Sequence, residues 1–370
     1  MRYLIYISTI VLSVLFIILA LAGQPYWWVA LAVTVPLALL GTADFFQSRH
    51  TLLRNYPLIA HFRWLFESIR PEIRQYLLES NTDGAPFPRN QRSLVYRRAK
   101  AVNDKFPFGT EQDVYAVGYE WLNPSQAAKQ KRDPDFRVKV GNSQCKKPYS
   151  ASVLNISAMS FGSLSGAAVR ALNKAASMGN FAQDTGEGGI SRYHREFGGD
   201  LIWEIGSGYF GCRTEDGSFC PERFREQACD DQVKMIEIKL SQGAKPGHGG
   251  VLPACKVTPE IAEARHVGPW EDVISPSSHS AFSTPIQMMQ FIAQLRELSG
   301  GKPVGFKLRV GHGWEFLAIC KAILETEIRP DFIVVDGSEG GTGAMPAVLS
   351  CFRLAAFSPR VATLTAAQPE

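Results

Sequence analysis

From Tyr3 to Ala22 the chain runs for 20 residues without a charged side chain. A helix of that length crosses ~30 Å of hydrocarbon. Gly23-Gln24-Pro25 then breaks the helix, and a second uncharged run extends from Trp27 to Ala43. Tyr26, Trp27 and Trp28 stand where an interfacial aromatic belt belongs. A cleaved signal peptide carries an apolar stretch of about 7–15 residues with no second span directly behind it. Residues 1–46 are therefore read as a transmembrane hairpin. Arg2 precedes it, and Arg49, Arg54 and Arg63 follow. Positive charge on both flanks puts both ends in the cytoplasm. The expectation is a multi-pass protein of the inner (cytoplasmic) membrane whose remaining domain faces the cytoplasm.

The other 324 of the 370 residues leave room for one barrel-sized domain and a lead-in. A formal charge of +4 is too small to argue for nucleic acid as a partner. Seven cysteines show no Cys-x-x-Cys, and Cys212, Cys220 and Cys229 are too widely spaced for a zinc knuckle. Reduced, buried thiols and no metal site are expected.

Residues 47–150 read as a polar, irregular lead-in. Within it, Arg49 to Leu78 suggests an amphipathic helix broken at Pro57 and Pro71. From residue 151 strand and helix patterns alternate. Candidate strands are 152–159, 180–184, 201–206, 234–240, 303–310 and 331–336. Ser163 to Met178 and Trp314 to Glu327 read as helices. Thr284-Pro285 opens another, a cap followed by proline at the first helical position. This alternation implies an α/β domain with a parallel sheet. Periodicity alone does not separate a barrel from an open sheet, and only six strands can be counted.

Several glycine-rich loops follow these strands. The stretch Gln242-Gly243-Ala244-Lys245-Pro246-Gly247-His248-Gly249-Gly250 lets backbone approach a ligand and supplies one cation. Ser157-Ala158-Met159-Ser160-Phe161-Gly162, Thr185-Gly186-Glu187-Gly188-Gly189 and Asp336-Gly337-Ser338-Glu339-Gly340-Gly341-Thr342-Gly343 flank it in sequence order. Gly206 to Gly211 is formally G-x-G-x-x-G, but the turn Thr214-Glu215-Asp216-Gly217 follows where a dinucleotide-binding loop needs a helix. Lys307 is a charge inside the apolar run 303–308, and a barrel strand aims alternate residues inward. Arg265 lies 20 residues beyond Lys245; an arginine fork and a lysine suit the two ends of a dicarboxylate.

These loops, over roughly residues 85–345, resemble the flavin-binding synthase domain of glutamate synthase, closest to its short, membrane-tethered, single-domain members. The resemblance implies a (β/α)8 TIM barrel over 151–344. It implies FMN held by Ala158, Met159, Ser160, Gln242, Lys307, Gly337, Gly340, Gly341 and Thr342. It implies Lys245 and Arg265 on the carboxylates of 2-oxoglutarate, with Glu187 beside the substrate. The implied reaction forms L-glutamate from 2-oxoglutarate and ammonia, by hydride transfer from reduced flavin to 2-iminoglutarate. The electron donor is left open. His248 and Val251 depart from the family pattern, so another 2-oxo or 2-hydroxy acid stays open as substrate. Residues 345–370 do not match, so an incomplete barrel of about six βα units and a divergent tail are expected, and with them a non-catalytic remnant as an alternative. No iron–sulfur cluster is expected, because its ligand cysteines are absent and Cys351 stands alone.

Overall fold

The computed structural model describes residues 2–23, 26–85, 87–103, 105, 107–127, 136–244 and 249–337. Its contacts divide the chain into two compact units, residues 1–124 and 125–370.

The first unit opens with α1 (Leu4–Leu21) and α2 (Trp27–Phe46), both long and apolar enough to cross a membrane by length and composition. They pair as a hairpin. The Tyr6 and Thr42 hydroxyls share a 3.0 Å hydrogen bond, and the Phe16 and Trp27 rings stack with centroids 5.1 Å apart. Asp44, near the end of α2, is buried and accepts hydrogen bonds from Leu58 N (3.1 Å) and His61 Nε2 (2.9 Å). The short α3 (Thr51–Asn55) ends before Pro57, as expected. Pro71 does not end the next helix: α4 (Ile59–Ile73) runs through it and closes in a π turn over Arg74–Leu78. Such a turn lets a helix re-satisfy the carbonyls that proline frees. A further helix, α5 (Arg89–Ala99), follows, so the lead-in is more helical than its composition suggests.

The second unit begins with an antiparallel hairpin, β1 (Arg137–Val140) and β2 (Tyr149–Ser152). Five parallel strands then form one curled, half-barrel sheet in chain order: β3 (Gln183–Asp184), β4 (Leu201–Ile205), β5 (Val233–Lys239), β8 (Val304–Leu308) and β9 (Ile333–Val335). Between β5 and β8 a small antiparallel pair, β6 (Val251–Leu252) and β7 (Val273–Ile274), stands apart. Helices α6 (Gly166–Gly179), α7 (Arg192–Arg195), α8 (Pro221–Ala228), α9 (Pro259–Arg265), α10 (Pro285–Leu298) and α11 (Gly313–Thr326) fill the connections. Thr284 caps α10 as expected, its hydroxyl accepting from Gln287 N.

The expected first strand, 152–159, is mostly loop. Only Ile156 pairs with the sheet, by a bridge to Gln183. Asn155 explains this: its side chain bonds Ser152 O and Ala182 N, taking places that ladder bonds would use. The helix after it starts at Gly166 rather than Ser163, because Ser165 caps it through Ala168 N.

Alternation along the strands divides the core. Leu201, Trp203, Ile205, Ile236, Ile238, Val304, Phe306 and Leu308 face outward and pack on Phe224 of α8 and on Met289, Ile292 and Leu295 of α10. Ile202 and Met235 face inward, where Tyr149 and Ala151 of β2 cover them. The loop between β1 and β2 is tied to the turn before β9. Asn142 N donates to Asp331 Oδ1 at 2.8 Å, and Asp331 also pairs with Arg296 at 2.9 Å. None of the six described cysteines is in a disulfide, but only Cys212 is buried, so the expectation of buried thiols fails for the others.

Candidate active site

Inward positions beyond Ile202 and Met235 carry charge instead of hydrocarbon. Register places Glu204 beside Glu237, and Lys239 beside Lys307. Asp184 lies on the same face of β3, opposite Ile202. Each of these strands therefore delivers an ionisable side chain to the C-terminal mouth of the half-barrel, where α/β folds place their sites.

The groups are close and dry. Lys307 Nζ lies 3.2 Å from Glu204 Oε2, and Lys239 Nζ lies 2.9 Å from Glu187 Oε1 and 3.9 Å from Glu204 Oε1. Single carboxylate oxygens of Asp184, Glu204 and Glu237 all fall within 4.8 Å of one another. Glu204 and Glu237 are each 1% exposed. Burial, reinforced by the charge of Glu204, pushes the Asp184 pKa up to about 8. Burial and the neighbouring Asp184 and Glu204 raise that of Glu237 well above the usual carboxylate range. Burial alone would lower the Lys307 pKa, but Glu204, Asp184, Glu237 and Asp336 outweigh it and raise it. Both lysines sit among the acids, so this is a mixed ion cluster.

Above the mouth, two loops lock together. Gly186 has φ +66°, and a Cβ there would meet Ser160 N at 2.5 Å, so only glycine lets the 185–189 loop lie on the 158–162 loop. The backbone amides of Ala158, Met159 and Ser160 have no hydrogen-bond partner among the described residues. Arg265 ends α9 but does not serve its own helix carbonyls. Its Nη2 donates to Phe161 O at 3.1 Å, and the guanidinium lies 4.9 Å from the centroid of the Phe210 ring. Its Nε is buried without a hydrogen-bond partner among the described residues, as is the hydroxyl of Ser275. Burial lowers the Arg265 pKa, and Glu187 opposes that shift. Ser275 Oγ and Glu187 Oε1 converge on Gly250, where a Cβ would lie 3.3 and 3.2 Å from them.

The structure thus brings Glu187, Arg265, Lys307 and the 158–160 backbone to one end of the sheet. Gln242 is half-buried in the loop after β5. That loop is tied to the end of β9 by Gly243 N donating to Asp336 Oδ2 at 2.8 Å, which sets it beside Gly337. Lys245, His248, Gly340, Gly341 and Thr342 lie outside the described residues, as do residues 345–370. Val251 is half-exposed on β6. Sequence reasoning missed Asp184, Glu204, Glu237, Lys239 and Ser275. A signal existed for three of them: Trp203-Glu204-Ile205 and Ile236-Glu237-Ile238-Lys239 place charges at alternate positions of apolar strands, as at Lys307. His279, also unassigned, is a brace: its ring bonds Lys239 O at 2.8 Å and the Tyr209 hydroxyl at 3.2 Å.

Comparison with known proteins fits this architecture. The model of the conserved region in glutamate synthase matches residues 109–368, running past residue 345, where divergence is expected from the sequence. A glutamate synthase large subunit-like protein, YerD, of Bacillus subtilis (strain 168) is 37% identical over 338 residues, covering 80% of this chain and 64% of that protein. An archaeal-type glutamate synthase (NADPH) of Thermotoga maritima is 36% identical over 193 residues, 52% of this chain and 34% of that protein. An archaeal glutamate synthase (NADPH) of Methanocaldococcus jannaschii is 34% identical over 197 residues, 52% of this chain and 35% of that protein. This chain spans less than two thirds of the length of each of these relatives. With most of its second unit inside the matched region, the chain belongs to the glutamate synthase family.

Proposed function

We propose that the chain is a flavin-dependent oxidoreductase of glutamate synthase type, acting on 2-oxoglutarate and ammonia to form L-glutamate. The observation that carries this reading is the mouth itself. A buried guanidinium and a buried serine hydroxyl, neither Nε nor Oγ having a partner among the described residues, converge there with the Glu187–Lys239 pair from a helix end, a strand end and two loops. An unmade hydrogen bond in the interior costs about 1–3 kcal/mol, and a carboxylate ligand would recover it. Family membership supplies the substrate class. The closed (β/α)8 barrel belongs to the same proposal, supported by strands that follow chain order in one curled sheet.

The residues fit FMN. Lys307 offers a buried cation at a strand end, and the 158–160 amides offer donors without partners among the described residues. Electron-rich edges of a reduced flavin need such groups. Lys307, Gln242, Gly337 and the 158–160 backbone would hold the ring, with Gly340, Gly341 and Thr342 completing the loop. Bound there, the flavin supplies the hydride that reduces the imine. Arg265 fixes one substrate carboxylate and Lys245 the other, which orients the reacting carbon. Glu187, held by Lys239, would stand beside the substrate. The α1–α2 hairpin anchors the enzyme in the membrane with both ends cytoplasmic.

A flavin absorbance titration of the detergent-purified protein tests the reading. Stoichiometric FMN binding, followed by reoxidation of the reduced flavin on adding 2-oxoglutarate and ammonia, is expected. Reoxidation by other 2-oxo acids alone would reassign the substrate, and no binding would defeat the proposal.

A further inference from the structure

Beneath the proposed site lie more buried acids than buried bases can neutralise. Glu204 is matched by Lys307 at 3.2 Å, and Glu187 by Lys239 at 2.9 Å. Arg265 acts on Glu187 from α9, and Asp336 acts on Lys307 from the end of β9. Asp184 and Glu237 remain, with carboxyl oxygens inside the same 4.8 Å cluster. Asp184 is 6% exposed and Glu237 1% exposed. The only described donor to Asp184 is the Gly186 amide, 2.9 Å from Oδ1. Glu237 Oε1 has no hydrogen-bond partner among the described residues. Its carboxyl stands beside that of Glu204 in register, within the same 4.8 Å cluster, and two carboxylates crowded in a dry interior favour a proton on one of them. A bare carboxylate oxygen in a dry interior is far costlier than a neutral acid.

We infer that Asp184 and Glu237 are positioning residues carried as neutral carboxylic acids, whose protons keep the mouth electrically balanced so that it can hold an anionic ligand. With both protonated, two ammonium groups face two carboxylates. With both ionised, two negative charges would stand uncompensated directly under the ligand. Anion affinity at the mouth therefore falls as these acids ionise. The consequence for ligand rests on the proposed flavin and dicarboxylate site; the protonation itself does not.

The test begins with ligand-free, full-length protein in detergent. Infrared spectra are taken from about pH 6 to about pH 10, a range in which ordinary carboxyls stay ionised. A carboxylic-acid C=O band is expected at the low end and should vanish toward the high end. Asp184→Asn and Glu237→Gln should each remove part of the band and the double variant all of it. Both substitutions keep shape and neutrality, and in Asp184→Asn the side-chain carbonyl can still accept from the Gly186 amide. Absence of the band near neutral pH, or its survival in the double variant, overturns the inference; if the variants do not fold, the wild-type titration alone decides. The second measurement is the FMN dissociation constant against pH. In the wild type it should rise at least about tenfold between about pH 7 and about pH 9, and in the double variant it should stay flat. A pH dependence unchanged by the substitutions also overturns the inference. If FMN fails to bind at every pH, the functional proposal falls while the infrared result still decides the protonation.

Discussion

Two side chains concentrate the argument at the scale of single residues. Arg265 is expected to be specific for substrate rather than flavin. Replacing it by alanine removes a charge-assisted contact worth about 1.5–3 kcal/mol, so 2-oxoglutarate binding should weaken roughly 10- to 150-fold while flavin content holds. Lysine should rescue little, because it lacks the fork whose Nε is unpartnered. Isothermal titration with 2-oxoglutarate beside a flavin absorbance count separates the two roles; lost flavin with intact substrate affinity would reverse them. Asp184 makes a prediction about stability. Its folded pKa is raised to about 8 from 3.8. Between those values the folded state holds a proton that the unfolded chain has released. The stability contribution is therefore fully present below pH 3.8 and is lost as pH rises toward about 8. Melting temperature should fall across that window and do so less in Asp184→Asn; a melting temperature that climbs there would contradict the assignment.

At the scale of elements, the loops matter more than the strands. Gly186→Ala must adopt φ +66° and place a Cβ 2.5 Å from Ser160 N, a backbone atom that cannot step aside. Strain of order 1–3 kcal/mol should open the contact between the two loops and reduce FMN retention, measured by dialysis, with little change in the helical circular dichroism. Gly198→Ala is the matched control: it shares the positive φ, at +65°, and so the same backbone cost, but nothing lies within 4 Å of the added carbon. The same contrast explains what could be read from sequence. Apolar alternation over 201–206, 234–240 and 303–310 located three strands within about two residues, because burial on the helix side demands that pattern. The run 152–159 looked similar, yet Val153 and Leu154 are exposed and Asn155 diverts the ladder. Lys307 stood out as a lone charge, whereas Glu204 and Glu237 escaped notice because nothing local shows that they stack across neighbouring strands. Ser275 was invisible: its neighbours Glu187 and Gly250 are brought to it only by the fold.

For the whole molecule, the α1–α2 hairpin predicts that the full chain sediments with membranes and resists carbonate extraction, whereas residues 47–370 do not. Extraction of the intact chain by carbonate would refute the anchor. Protease added to intact spheroplasts should leave residues 150–330 uncut; cleavage from outside would refute the orientation. The bond between Asn142 and Asp331 has a consequence in time. It joins positions 189 residues apart, and the hairpin it secures covers the inward-facing Ile202 and Met235. At about 5–20 residues per second of synthesis, Asn142 waits roughly 10–40 s on the ribosome before its partner exists. Until Asp331 emerges this corner of the half-barrel is fastened only by bonds formed earlier, such as those of the Lys146 and Lys147 amides to Gly301 O, and the edge of β8 still lacks β9. Early domain completion is thus forbidden by topology, and nascent chains arrested before residue 331 should bind holdase chaperones that released full-length chains ignore.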